Sequence, residues 1–200
     1  MPAGGHQAGN PSRCRIAPVR RVTPGGPLPL TPQMPTAVLT RIQSGVGALT
    51  VTAHWSEPAA GWLILAWQKN SGEQRLITPA DAPFAHDECL QLDHRGDTPE
   101  LRIDLRQIRT VDRILLATAP NGPPRPFTGA LALTTFGGAR IDLPITSTAT
   151  GIAVLMTIYN VAGELVLRAE HDPIGTSLQA ACLAYGYDRI TWLDQHTPLR

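Results

Sequence analysis

Apolar and polar residues alternate with a period of two along much of this chain, which predicts strands that bury one face. Val38, Thr40 and Ile42 alternate with Leu39 and Arg41. Leu49, Val51 and Ala53 alternate with Thr50, Thr52 and His54. Leu101, Ile103 and Leu105 alternate with Arg102 and Asp104, and 105–108 fits one helical turn. Leu131, Leu133 and Thr135 repeat the rhythm before Gly137-Gly138 turns the chain into 140–143. Residues 62–67 are apolar at every position and predict a central strand, followed by an Asn70-Ser71-Gly72 turn into 74–77. Further strands are predicted at 90–92, 114–118, 152–159, 165–169 and, as a last edge, 190–193. Only 176–185 has helical spacing, with Thr176 or Ser177 as cap and Leu178, Cys182 and Leu183 facing the core.

About ten short strands separated by turns, with one late helix, predict an all-β fold, a two-sheet β-sandwich with one short helix near its end. The βαβ rhythm of a parallel nucleotide-binding sheet is missing. Residues 144–150 form a possible hinge, but the apolar rhythm resumes beyond it, so 37–200 reads as one domain. Residues 1–36 differ. They are rich in Pro and Gly, have no acidic residue and carry Arg13, Arg15, Arg20 and Arg21, which predicts a disordered basic arm.

Composition narrows the function classes. A hydrophobic share of 42% over 200 residues fills a core without metal or disulfide. A net charge of +1 gives no pull toward nucleic acid or a membrane surface, so neither is an expected partner. No apolar run approaches the ~20 residues of a membrane span, and the prolines after Arg21 leave no apolar segment for a secretory leader. Cys14, Cys89 and Cys182 are scattered and form no CxxC pair, which argues against a disulfide framework or zinc site and fits the cytoplasm. Charged residues make up only 16%, so an apolar patch and a protein partner are expected.

Candidate chemistry gathers in 86–100. Cys89 stands near His86 and His94, the residue types of a nucleophile and its base, but no nucleophile motif surrounds it. His86-Asp87-Glu88 with Asp93-His94 has metal-ligand residue types, which a solvated acidic loop also has. His171-Asp172 reads as a strand-end turn. Trp62 and Trp67 differ by an odd number of positions and are expected on opposite sheet faces, one of them near Trp55 and the 96–100 loop. No catalytic residue is assigned.

Several of these segments, in order, resemble the TerD family, linked to tellurium resistance and general stress. They are the strand 49–55 ending in Trp55, the Gly96-Asp97-Thr98-Pro99 turn, ELRIDL over 100–105 and VDRILLA over 111–117. The Phe127-led strand, the late hairpin within 152–169 and the Trp192 segment after a helix continue the resemblance, which covers about 48–193. It implies a non-enzymatic, calcium-binding β-sandwich that works through protein contacts. The family's calcium ligands come from an Asp-x-Asp pair entering the third strand and from an acidic loop before ELRIDL. Calcium takes 6–8 oxygen ligands, mostly carboxylates and carbonyls. Here the strand entry reads Ala59-Ala60-Gly61-Trp62, and Thr98 and Pro99 replace the loop's middle positions. The remaining ligand candidates are Asp97, Glu100 and Asp93. The expectation is an interaction module with reduced calcium dependence. Alternatives are a stress protein that retains a weak calcium site at Asp97 and Glu100, and a hydrolase that uses Cys89 or the His-bearing loop.

Overall fold

Leu49, Val51 and Ala53 point inward and Thr50, Thr52 and His54 outward, as strand alternation requires, and this face-by-face division runs through one whole sheet. The computed structural model describes residues 20–199 apart from 59, 82–83, 124, 147–150 and 176. In chain order the strands are β1 (Arg20–Arg21), β2 (Pro27–Pro29), β3 (Thr36–Leu39), β4 (Ala48–Trp55), β5 (Gly61–Lys69), β6 (Gln74–Ile77) and β7 (Phe84–His86). They continue with β8 (Leu90–Asp93), β9 (Glu100–Asp104), β10 (Val111–Pro120), β11 (Gly129–Thr135), β12 (Arg140–Ile145), β13 (Ile152–Val161) and β14 (Glu164–Gly175). One helix, α1 (Leu178–Ala184), follows, capped by the Ser177 side chain, which accepts from the Ala180 N–H.

Two seven-stranded sheets pack face to face, in the orders β1-β3-β14-β13-β10-β5-β6 and β2-β12-β11-β4-β9-β8-β7. The fold is therefore the expected all-β two-sheet sandwich with one short late helix. The two sheets differ in what covers them. The second sheet has one face on the core and one toward solvent, so β4, β9 and β12 alternate. The first sheet is a middle layer. Leu63, Leu65 and Trp67 of β5 enter the core between the sheets, and Ile64 and Ala66 lie on its other side. There they meet Leu115, Ala117, Ile152 and Val154, roofed by Leu178, Ala181, Cys182 and Tyr187 of the C-terminal segment. That roof explains why 62–67 is apolar at every position.

Two expectations are corrected. The disordered arm was predicted over 1–36, but from Arg20 onward it belongs to the sheets. β1 pairs in parallel with β3, β2 pairs in parallel with β12, and Val22 and Leu30 are buried. The physical reason is that an edge strand needs backbone partners on one side only: the Leu30 N–H donates inward to the Asp142 carbonyl, and the prolines, which have no N–H to satisfy, are tolerated at a sheet edge. The rest of the predicted arm, with Cys14, lies outside the described residues. The predicted edge strand at 190–193 joins neither sheet. Trp192 makes a single bridge to Pro198, and the segment serves in the roof instead. The predicted turn at 105–108 is placed slightly later, as a short 3-10 helix at Ile108–Thr110, and most of the expected hinge (147–150) lies outside the described residues.

Candidate functional site

The hairpin of β8 and β9 sets the geometry of the 86–100 region. Its register places Asp93 directly opposite Glu100, so two of the three ligand candidates are neighbours on the solvent face of the second sheet. Asp97 stands apart, exposed in the connecting loop. The Asp93 carboxylate is engaged: both its oxygens accept from Arg95 Nε at 3.0 Å, and Arg95 Nη2 donates to the second oxygen. This pairing, with the Arg95 backbone N–H, holds the Asp93 pKa down to about 2.

The entry to the third long strand, β5, lies against this loop. A narrow cleft of about 60 Å³ is lined by Gly61, Trp62, His94, Asp97 and Pro99 together with Gly96 and Asn121. Trp62 and His94 meet edge-on with ring centroids 5.1 Å apart. Neither buried His94 nitrogen makes a hydrogen bond of good geometry among the described residues; burial pushes its pKa below the ordinary histidine value, opposed in part by the nearby Leu63 backbone and the Asp93 carboxylate. The cleft has room for a water or two and no organic ligand.

The strand entry itself is filled. Ala60 is fully buried, and a Cβ at Gly61 would stand 2.5 Å from the Phe127 ring. Phe127 is buried and packs edge-on against Trp55, with centroids 5.2 Å apart. An oxygen ligand at Ala60 or Gly61 would have to displace this aromatic packing. Ala59 lies outside the described residues. Calcium needs several oxygens converging on one point, and among the described residues no three His, Cys, Asp or Glu side chains gather to hold a metal ion. Asp93, Glu100 and Asp97 therefore fit calcium poorly. One of them is bound to an arginine, and the strand entry offers an aromatic ring.

The nucleophile candidates are separated. Cys89 lies in the turn before β8 and His94 just after it, at opposite ends of the strand, roughly 17 Å apart at strand rise. Cys89 is buried in the main core, and burial, with Asp87 nearby, pushes its thiol up to about 11. His86 is exposed. The acidic residues around it belong to an ion-pair group that sequence reading did not find. Lys69 Nζ lies 3.7 Å from Glu73, 3.7 Å from Asp87 and 4.0 Å from Glu88. Its only sequence signal is that Lys69 is the sole lysine. His171 and Asp172 do not form the expected strand-end turn: they lie within β14 at a bulge, where His171 has φ of 50°, and there Asp172 accepts from the Tyr185 hydroxyl at 3.1 Å while burial raises the Tyr185 pKa. The expectation for the tryptophans holds: Trp67 is in the core, and Trp62 is half-buried at the cleft.

No family model, curated protein or solved structure matches this chain.

Proposed function

We propose that this chain is a non-enzymatic interaction module of the TerD type, acting in a cytoplasmic stress-response or tellurium-resistance system with reduced dependence on calcium. The family part of this reading rests on the order of the sequence motifs. One observation carries the functional part. The two segments to which the resemblance assigns calcium ligands lie side by side along the small cleft, where Trp62 meets His94 edge-on and Asp97 is the one carboxylate residue in the lining, while Phe127 fills the space behind Gly61. A junction consolidated by aromatic packing needs no cation to hold its loops together. It leaves the half-buried Trp62 and the exposed loop of Asp97 as the surface for a protein partner. A thiol pushed up to about 11 is a poor nucleophile at neutral pH, which disfavours the hydrolase alternative.

A thermal melt of the full chain in chelator, in millimolar calcium and in magnesium tests the calcium part, because a ligand bound only by the folded state raises Tm. The expected result is no calcium-specific rise. The pairing of Asp93 with Glu100 across β8 and β9 favours a second reading, a weak calcium site completed by Asp97. A calcium-specific rise that Asp97→Ala abolishes would put that reading first. The system assignment is tested in the host cell. Loss of the chain should sensitise growth to tellurite, with rescue by the wild type and not by Trp62→Ala, and unchanged tellurite tolerance would remove it.

A further inference from the structure

The opposite end of the sandwich carries a second, larger cleft. Its volume is about 740 Å³, and its walls bring together Arg41, Arg106, Arg109, Asn70, Asn160 and Gly163. Three arginines line it and no acidic residue does. Arg106 is neutralised by Asp104 at 2.8 Å. Arg41 and Arg109 have no acidic partner among the described residues, so the cleft has a surplus of positive charge.

The loops that bring in these arginines are fixed. Asn70 Nδ2 donates to the Arg109 carbonyl at 2.6 Å, and Asn160 Nδ2 donates to the carbonyls of Ile108 and Val111 at 3.1 Å each. The short helix bearing Arg109 is thereby tied to the turn after β5 and to β13. On the other wall, Gln43 Nε2 donates to the Val22 carbonyl at 3.1 Å. The buried Ser44 hydroxyl donates to the Leu39 carbonyl at 3.2 Å and accepts from the Leu165 N–H at 2.9 Å. Both frames are built from satisfied polar contacts, yet the charges they present are left uncompensated. The backbone is anchored while the arginine side chains themselves are exposed, and guanidinium groups gathered around a concave surface focus positive potential toward an arriving anion.

We propose that this cleft binds a compact, phosphate-bearing anion, clamped by Arg41 and Arg109. The planar guanidinium fork matches phosphate oxygens two at a time, which favours phosphate over a halide-like ion. No aromatic ring lines the cleft, and its apolar wall is limited to Leu105, Ile108 and Ala162. A nucleobase finds no stacking partner there, so a short polyphosphate chain suits the site better than a nucleoside. The site is independent of the 96–99 loop, since β9 separates the two, and it stands or falls without regard to calcium.

The test is calorimetric titration of the full chain with sodium tripolyphosphate, repeated with Arg41→Ala, Arg109→Ala, Arg109→Lys and, as control, Arg168→Ala, which lies farther along β14 and does not line the cleft. Saturable binding that weakens with salt is expected. Each alanine variant in the cleft should bind about tenfold more weakly or worse, as loss of a charged hydrogen bond implies. Arg109→Lys should fall between, and Arg168→Ala should match the wild type. Melting curves establish that the variants fold. Absent binding, or equal binding by the wild type and both alanine variants, would overturn the proposal. So would sedimentation with phosphatidic-acid vesicles in the absence of tripolyphosphate binding. That outcome would assign this end, with exposed Ile42, Val46 and Phe136, to a lipid surface instead.

Discussion

Arg95 stands on the Asp93 carboxylate where a cation would have to stand, and this contact makes a direct pH prediction. The folded pKa of Asp93 is depressed to about 2, against roughly 3.9 for a free aspartate. A carboxyl with a depressed folded pKa contributes stability that is present above the unfolded value and lost as pH falls through the folded one. The contribution of Asp93 should therefore fade between about pH 4 and about pH 2. Carboxyl resonances followed by NMR should place its midpoint near the lower limit, and Arg95→Gln should return it to the ordinary range, where it would also feel Glu100 across the strand pair. Gly61 makes the second prediction at this scale. An added Cβ would meet the Phe127 ring at 2.5 Å, inside contact distance, so Gly61→Ala should destabilise the chain by about 1–3 kcal/mol in a denaturant titration. Little change there would mean that Phe127 moves aside freely, and the strand entry would then have room for a ligand after all.

Among the elements, the hairpin of β13 and β14 carries a local mismatch. Val161 pairs with Glu164, leaving Ala162 and Gly163 as a two-residue turn with φ of 53° and 82°. Such a turn requires positive φ at both positions, which Gly accepts and Ala resists. Ala162→Asn supplies the residue this turn favours and should stabilise the chain by roughly 0.5–1 kcal/mol, measured as a rise in the denaturation midpoint. Gly163 was legible as part of a turn, since polar Asn160 and the glycine interrupt two apolar runs. Most strands were legible for a comparable reason: residues such as Leu49, Val51, Leu101 and Ile103 face one core, and alternation is a local property. β1 and β2 were not legible, because Arg20, Arg21 and the Pro27–Pro29 segment are held by backbone pairing at sheet edges and leave no periodic side-chain signal. The 190–193 run looked like a strand because a roof over a sheet is as apolar as a strand within one.

The molecule as a whole is three layers, a solvent-facing sheet, a middle sheet and a partial C-terminal roof, and Arg113 fastens the third to the second. From β10 its guanidinium donates to the Tyr185 carbonyl at 2.8 Å, the Gly186 carbonyl at 2.6 Å and Gln68 Oε1 at 2.8 Å. It also lies 4.6 Å from the centre of the Tyr187 ring. Along the sequence Arg113 is one polar residue between Asp112 and Ile114, and nothing nearby marks it. Its partners are brought to it only when the chain after α1 folds back. The same holds for Trp62 with His94 and for Arg41 with Arg109, so each candidate site here joins residues distant in sequence, and composition alone showed little beyond residue types. Arg113→Met keeps the apolar stem, removes the charge and should cost about 1.5–3 kcal/mol, the range for hydrogen bonds to a charged group. The loss should be local before it is global. Limited proteolysis should cut within 177–199 first, and a hydrophobic dye should bind the uncovered face of Ile64, Leu115 and Val154 while the two-sheet core stays protected. Simultaneous cleavage throughout the chain would mean that the roof and the sandwich unfold as one unit, so that the middle sheet depends on its roof as much as on its partner sheet.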